Sequence, residues 1–400
     1  MIAARVPKDG IVLGRASFGG ALEDDDRASR NHVRVTRSGD AFLVEDAGSR
    51  NGTRLSGEAL ERPSVAAHGA VVRFGRSIIV LVSDVRPFEQ PRTIDEGEMI
   101  VGPTLRMAHA AVKLAAGESP TLLLHGESGS GKEIAAKLFH EASGRTGPLV
   151  AVNCAAIPAG LAERLLFGAK KGAYSGADDA DGYVQSAHDG TLFLDEVAEL
   201  DAAVQSKLLR AIETHEALPL GASKPRKVDV RFVFATHKDL RGEAQRGAFR
   251  QDLYYRIARP LVDVPPLRER KEDVAWLVAR GVAAFRRGAD SEADLRVHPS
   301  LVEACLLRTW PGNVRELVAE VKQAALRAKS AGRDEVTSAE LDEDAGKSFA
   351  PESAPVAAET PDDARIARVL ADEGGNVTRA AKALGMHRTQ LRRWMEKQKK

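Results

Sequence analysis

Residues 126–133 read Gly126-Glu127-Ser128-Gly129-Ser130-Gly131-Lys132-Glu133. The apolar run Leu122-Leu123-Leu124 precedes them, and Ile134-Ala135-Ala136-Lys137-Leu138-Phe139 follows with helical spacing. Strand, glycine loop, helix is the context a phosphate-binding loop requires. Glycines let backbone N–H groups curl round an anion without a Cβ clash, and the helix turns its positive end toward the same anion. Lys132 can then reach the outer phosphates of ATP or GTP. Glu133 stands where such loops usually carry a magnesium-binding hydroxyl.

The second anchor is Gly190-Thr191-Leu192-Phe193-Leu194-Asp195-Glu196. An apolar strand pattern ends there in two carboxylates. At the carboxyl end of a strand beside a phosphate loop, Asp195 can hold the magnesium shell and Glu196 can polarise the attacking water. From Met99 to Val264 strand patterns alternate with helical ones, which predicts a parallel α/β sheet. Pro265-Pro266-Leu267-Arg268-Glu269-Arg270 marks the passage to a helical segment running to about Leu341. Trp276 to Phe285 is expected to supply its core.

Several motifs together make residues 99–340 resemble the AAA+ ATPase of sigma-54-dependent transcription activators. The glycine loop matches that family's version, Glu133 included. Val152-Asn153-Cys154-Ala155-Ala156 matches a segment whose Asn contacts the catalytic Glu in the family. Phe249-Arg250-Gln251-Asp252-Leu253-Tyr254-Tyr255-Arg256 matches the arginine-finger segment, and Trp310-Pro311-Gly312-Asn313-Val314-Arg315-Glu316-Leu317 the second sensor. The resemblance implies an ATPase using ATP and Mg2+. Asn153, Asp195, Glu196, Arg250 and Arg256 would carry its catalysis, with the two arginines reaching a neighbouring subunit in a ring. Arg315 would report the γ-phosphate from the lid. The first sensor usually reads Ala-Thr-Asn and here reads Ala235-Thr236-His237. Thr236 keeps its hydroxyl near the γ-phosphate, and His237 can donate a hydrogen bond but is bulkier and titratable. Gly172-Ala173-Tyr174-Ser175-Gly176-Ala177 stands where the family carries its sigma-54 contact loop, Gly-Ala-Phe-Thr-Gly-Ala. Just before it, Gly168-Ala169-Lys170-Lys171 replaces Gly-His-Glu-Lys, so a carboxylate becomes a cation.

The first ninety residues are different in kind. Short β-rich runs such as Gly10–Gly14, His32–Val35, Ala41–Val44, Ala70–Phe74 and Ile78–Val82 are cut by turns, which predicts a β-sandwich. Gly14-Arg15, Ser29-Arg30-Asn31-His32 and Ser49-Arg50-Asn51-Gly52 sit in the connections. The set resembles the forkhead-associated (FHA) domain, whose end loops bind phosphothreonine peptides. Carried over by position, Arg15 and Ser29 would hold the phosphate, flanked by Arg30 and Arg50. Asn51 would bind the peptide backbone, and His32 would brace the loop from inside. A dianionic phosphate calls for guanidinium forks and hydroxyl donors on a rigid scaffold. The acidic run Glu23-Asp24-Asp25-Asp26 just before Ser29 is expected to stay solvated.

At the other end, eight Lys or Arg stand against a single acid, Glu396, between Gly374 and Lys400. The whole-chain charge of +1 conceals this basic tail. A helix from about Asn376, a turn at Gly385 and a helix from His387 have helix-turn-helix spacing. The tail resembles the Fis-type DNA-binding domain. Arg379, His387, Arg388, Thr389, Gln390, Arg392 and Arg393 are the expected contacts to double-stranded DNA at an enhancer site.

The expected organisation is therefore multidomain: an FHA-like β-sandwich (1–90), a linker (91–98), an α/β parallel-sheet AAA+ subdomain (99–265), its helical lid (266–342), a flexible linker (343–360), and a small all-α helix-turn-helix domain (361–400). The two cysteines, Cys154 and Cys305, lack metal-ligand spacing and read as core residues of a protein in a reducing compartment. No apolar stretch approaches the ~18 residues a membrane helix needs, and no leader is apparent, so a cytoplasmic protein is expected. The function expected is sigma-54-dependent activation by a homo-oligomer, from dimer to hexameric ring. It would act on sigma-54 RNA polymerase holoenzyme under control of a phosphothreonine-containing protein. The alternative is a DNA-binding regulator whose ATPase drives assembly only.

Overall fold

The computed structural model describes residues 2–88, 94–95, 100–158, 160–173, 178–288 and 295–348. The whole helix-turn-helix tail and residues 174–177 lie outside these. The chain divides into Met1–Lys347 and Ser348–Lys400.

Eight short strands open the first unit: β1 (Ile11–Leu13), β2 (Val33–Ser38), β3 (Ala41–Asp46), β4 (Thr53–Leu55), β5 (Glu58–Ala59), β6 (Ser64–Ala66), β7 (Val71–Phe74) and β8 (Ser77–Val80). They form two antiparallel sheets, ordered β1-β2-β3-β6 and β5-β4-β7-β8. Alternation puts Val33, Val35, Phe42 and Val44 on one inner face and Val72 and Phe74 on the other, as a sandwich requires. A short ribbon, β9 (Ile94–Asp95) with β10 (Ile100–Val101), leads into the next layer.

There α1 (Pro103–Glu118) precedes β11 (Thr121–His125), followed by α2 (Lys132–Ala142), β12 (Leu149–Asn153), α3 (Ala162–Phe167), α4 (Tyr183–Ser186) and β13 (Thr191–Asp195). Next come α5 (Ala202–Thr214), the ribbon β14 (Glu216–Ala217) with β15 (Arg226–Lys227), β16 (Arg231–Thr236), α6 (Leu240–Gln245), α7 (Gln251–Ile257) and β17 (Leu261–Asp263). Five of the strands run parallel in the order β12-β13-β16-β11-β17. The three central strands are covered on both faces, which is why they are continuous apolar runs. One face packs with α1 and α2 through Val112, Ala136 and Phe139. The other packs with α5 and α7 through Leu208, Ile212 and Leu253.

The lid consists of α8 (Val274–Gly288), α9 (Pro299–Leu307) and α10 (Asn313–Ser330), with a small parallel ribbon of β18 (Arg296–Val297) and β19 (Glu335–Val336). The sequence predicted helices alone; Arg296 and Val297 are too few to signal a strand. Val274, Leu277, Val278 and Val282 form the buried stripe of α8. Trp276 lies off that stripe and is 42% exposed, so the expectation that it is lid core is corrected. Both cysteines are buried, and burial pushes each thiol up to about 12, well away from a reactive thiolate.

The second sheet of the sandwich rests on the lid. Val71, Ile78 and Val80 join the buried cluster formed by Leu301, Cys305 and Leu306. Arg73 Nε donates to Glu303 Oε2 at 2.6 Å, and Lys271 Nζ donates to the carbonyl of Gly69 at 2.8 Å. Among the described residues no helix is long and apolar enough to cross a membrane.

Candidate functional site

The sheet register assembles the first site. Strands β11 and β16 align His125 with Thr236, and β13 and β16 align Leu194 with Phe234. The glycine loop, Asp195-Glu196 and Thr236-His237 therefore leave three adjacent strands at the same carboxyl edge, where parallel α/β sheets bind ligands. Gly131, with φ +112°, turns the loop into α2. Lys132 is buried, and its Nζ donates to the carbonyls of Gly126 (2.9 Å) and Glu127 (3.3 Å). It also lies 3.7 Å from Glu196.

Asp195 ends β13, and its Oδ1 accepts from the N–H of Glu196 at 3.1 Å. Burial raises its pKa, against the opposing pull of Lys132, so a cation beside it would relieve a desolvation cost. Ser130 Oγ is buried in the loop without a hydrogen-bond partner. The half-buried Asp195 carboxylate together with phosphate oxygens makes a donor set that suits magnesium, which seldom takes an all-protein cage. No cluster of three or more His, Cys, Asp or Glu able to hold a metal occurs among the described residues.

Glu196 sits at φ +53°, a left-handed conformation that non-glycine residues adopt at some cost. Its Oε2 accepts from His237 Nδ1 at 2.8 Å. Thr236 is buried, and its Oγ1 accepts from the N–H of Lys238 at 3.0 Å. Asn153 pairs in register with Asp195, and its Oδ1 accepts from the N–H of Ala155 at 2.9 Å, capping the turn that follows β12. The expected Asn153–Glu196 contact is not made in this structure, and His237 takes the carboxylate instead.

The lid closes onto the loop through more residues than the sequence singled out. Arg315 donates to Ser128 Oγ at 3.2 Å. The buried Asn313, with φ +53°, donates to Glu127 Oε2 (3.1 Å) and the carbonyl of Ser128 (3.0 Å), while its Oδ1 accepts from the N–H of Leu267 (2.7 Å). Gly129 permits this approach; a Cβ there would stand 2.4 Å from the carbonyl of Gly312. Arg268 pairs with Glu127 at 2.7 Å, and Arg270 donates to the carbonyl of Ser130 at 2.6 Å. Behind Arg270, burial lifts the Asp273 carboxyl to about 7. Asn313 and Arg270 lay inside quoted motifs, but spacing alone gave them no role. Glu133 is in the first turn of α2.

Arg250 and Arg256 bracket α7 on its exposed side. Arg250 forks onto Asp252 at 2.6 and 3.0 Å, and its backbone N–H is held by buried Gln205 at 2.8 Å. Neither arginine is bonded to the glycine loop of its own chain, among the described contacts.

Of the predicted sigma-54 contact loop, Gly172 and Ala173 are described; Tyr174, Ser175, Gly176 and Ala177 lie outside the described residues. Lys170 Nζ meets Asp179 at 2.9 Å, and the N–H of Lys171 donates to the same carboxylate at 2.6 Å. The cation that replaced the family's carboxylate is thus paired with a carboxylate nine residues further along the chain.

The sandwich carries a second candidate site. His32 is fully buried; its Nδ1 accepts from the N–H of Ser29 (2.9 Å), and its Nε2 meets the carbonyl of Gly52 (3.1 Å), which fixes the proton on Nε2. It braces two loops at once. Ser29 Oγ accepts from the N–H of Arg50 at 3.1 Å, and Asn51 Nδ2 donates to the carbonyl of Arg27 at 2.8 Å. The N–H of Arg15 donates to the carbonyl of Ser29 at 2.9 Å. Arg15, Ser29, Arg30, Arg50 and Asn51 therefore belong to one set of tied loops. The acidic run does not stay wholly solvated. Asp25 is 6% exposed and accepts from the N–H groups of Arg27, Ala28 and Arg76 and from Ser77 Oγ. Four donors compensate its burial, whereas Glu23, Asp24 and Asp26 remain exposed.

The expected DNA contacts Arg379, His387, Arg388, Thr389, Gln390, Arg392 and Arg393 all lie outside the described residues.

Comparison with known proteins finds four matched regions in this chain. A family model described as the sigma-54 interaction domain matches residues 100–262, and an AAA+ ATPase lid domain matches 268–356. An FHA domain matches residues 11–75, and a Fis-family bacterial regulatory protein matches 362–397. Regulatory protein LuxO of Vibrio cholerae is 42% identical over 275 residues, 68% of this chain and 52% of LuxO. Transcriptional regulatory protein ZraR of Escherichia coli is 36% identical over 305 residues, 73% of this chain and 67% of ZraR. The crystal structure of NtrX from Brucella abortus in complex with ATP superposes with a TM-score of 0.55 at 29% identity, covering 75% of this chain and 69% of NtrX. The chain spans about half to two-thirds of the length of such relatives.

Proposed function

The chain belongs to the sigma-54-dependent family of bacterial transcription regulators, and on that premise we propose that it is an ATP-hydrolysing activator of sigma-54 RNA polymerase. The observation that carries the reading is the convergence of Lys132, Asp195-Glu196 and Thr236-His237 at one sheet edge, with the lid residues Asn313 and Arg315 on the same glycine loop.

The chemistry follows from charge. The backbone N–H groups of the loop cradle the phosphates, and Lys132 leaves the carbonyls of Gly126 and Glu127 for the stronger anion. Glu196 orients and polarises the attacking water. Asp195 holds the magnesium shell; the metal, when bound, neutralises charge across the outer phosphates. Arg250 and Arg256, exposed beyond the sheet, act on the nucleotide of a neighbouring copy, which makes hydrolysis a property of the oligomer. Arg315 and Asn313 carry the nucleotide's state to the lid.

The 168–182 segment delivers the resulting movement to sigma-54 through Tyr174. The basic tail holds enhancer DNA, and the Arg15/Ser29/Arg50 loops receive a phosphothreonine protein as the regulatory input. The assembly-only alternative rests on the altered 168–175 segment, which includes the charge reversal at Lys170. The pairing of Lys170 with Asp179 weakens that ground.

Hydrolysis is tested by Glu196→Gln. The variant should bind ATP as wild type does and turn it over roughly a hundredfold more slowly. Wild-type turnover by Glu196→Gln would contradict the proposal.

A further inference from the structure

We propose that His237 is the residue that positions Glu196, the part that the resemblance assigned to Asn153. The inference rests on the ATPase reading given above. An ionised carboxylate only accepts hydrogen bonds, so the proton of the 2.8 Å contact sits on His237 Nδ1. Among the described contacts Glu196 has one further side-chain holder, Lys132 at 3.7 Å. That second hold is temporary, because a bound triphosphate competes for the same ammonium and outweighs one carboxylate in charge. His237 then keeps the carboxylate in place alone.

The turn that carries the imidazole is itself tied. Thr236 Oγ1 holds this turn by accepting from the N–H of Lys238, and Lys238 Nζ is anchored on Glu199 at 2.7 Å. Asn153 does not share this role in the structure: its amide oxygen accepts from the N–H of Ala155, and no described contact joins its Nδ2 to the Glu196 carboxylate. The backbone strain at Glu196 has a purpose in this arrangement. A left-handed residue immediately past β13 throws its side chain across to β16, where His237 meets it.

The atom involved makes the idea specific. Nδ1 of histidine and Nδ2 of asparagine occupy the same branch position, one bond beyond Cγ. A glutamine donor lies one bond further out, where Nε2 is. If Nδ1 is the working atom, asparagine can replace His237 and glutamine cannot.

The test uses the full chain and three variants, His237→Ala, His237→Asn and His237→Gln. ATP turnover is measured beside the affinity for a non-hydrolysable ATP analogue. The expected result is a fall in kcat of roughly tenfold or more for Ala and Gln, a value within about threefold of wild type for Asn, and analogue affinity within about twofold for all. Wild-type kcat in the Ala variant overturns the inference. So does an Asn variant as slow as Ala, or analogue affinity that falls in step with kcat. A second readout needs no nucleotide. With 15N-labelled histidine, the His237 signal, identified by its loss in His237→Ala, should shift in Glu196→Ala; an unmoved signal overturns the contact. A wild-type protein without turnover contradicts the ATPase reading, and the labelled-histidine comparison still decides the contact.

Discussion

Arg73 of the sandwich and Glu303 of lid helix α9 meet at 2.6 Å, although 230 residues separate them in sequence. Glu303 is 6% exposed, so it is nearly withdrawn from water, and Arg54 at 3.8 Å is its only other cation among the described pairs. Leaving a buried carboxylate unpaired is costly. Arg73→Ala should therefore destabilise the chain by about 2 kcal/mol in thermal or urea unfolding, and Arg73→Ala with Glu303→Leu should recover most of it. Hydrogen exchange in α9 should quicken in the single variant. Equal stability of wild type and Arg73→Ala would show that the sandwich does not brace the lid.

Asn313 combines two demands that few residues meet. It is fully buried at φ +53°, and it bonds the loop and the first turn of the lid together. Asn313→Gly keeps the backbone and loses the bonds, which should cost about 2 kcal/mol. Asn313→Ala must also adopt the left-handed conformation, so it should be worse by about 1 kcal/mol. Matching unfolding curves for the two variants would remove the backbone part of this explanation.

Asp25 fastens the loop that carries Ser29 to the turn between β7 and β8. It would not touch a peptide, yet Asp25→Ala should weaken phosphothreonine-peptide binding roughly tenfold by releasing the loop. Asp24→Ala, on an exposed neighbour, should change it little. Calorimetric titration of both variants decides the matter, and identical affinities would contradict the fastening role.

His109 lies buried in α1, and burial, aided by the charges of Arg270 and Lys113, pushes its pKa down to about 4. The unfolded chain takes up this proton near pH 6.5, the folded chain only near 4. The stability it contributes is full above 6.5 and is lost as pH falls toward 4. Between pH 7 and pH 5 the loss should be about 2 kcal/mol, and His109→Leu should lose correspondingly less. Parallel pH profiles for the two proteins would refute the assignment.

Much of this was legible in the residues because phosphate chemistry is local. A glycine loop between a strand and a helix, and two acids ending a strand, each fit in one short segment. The sandwich was legible from strand alternation and from His32, which is buried where a brace was expected. What stayed hidden depends on contacts between distant segments. Asp25 read as one solvated acid among four, since only the fold brings Arg76 and Ser77 to it. Asn313 had no role until the lid met the loop. His237 read as a departure from the family pattern, and Asn153 as the partner of Glu196. Only the fold shows that the described side chain in hydrogen-bond contact with Glu196 is His237 and not Asn153. The docking of Val71 and Arg73 on the lid had no sequence signal, because each also fits an ordinary strand.

Transcription from a sigma-54 promoter in a purified system tests the central claim most directly, with wild type, Lys132→Ala and Tyr174→Ala compared at equal ATP. The prediction is ATP-dependent activation by wild type and none by Lys132→Ala. Tyr174→Ala should hydrolyse ATP normally and fail to activate. Activation by Tyr174→Ala equal to wild type, or by Lys132→Ala at all, would contradict the claim that this chain turns ATP hydrolysis into remodelling of the sigma-54 polymerase.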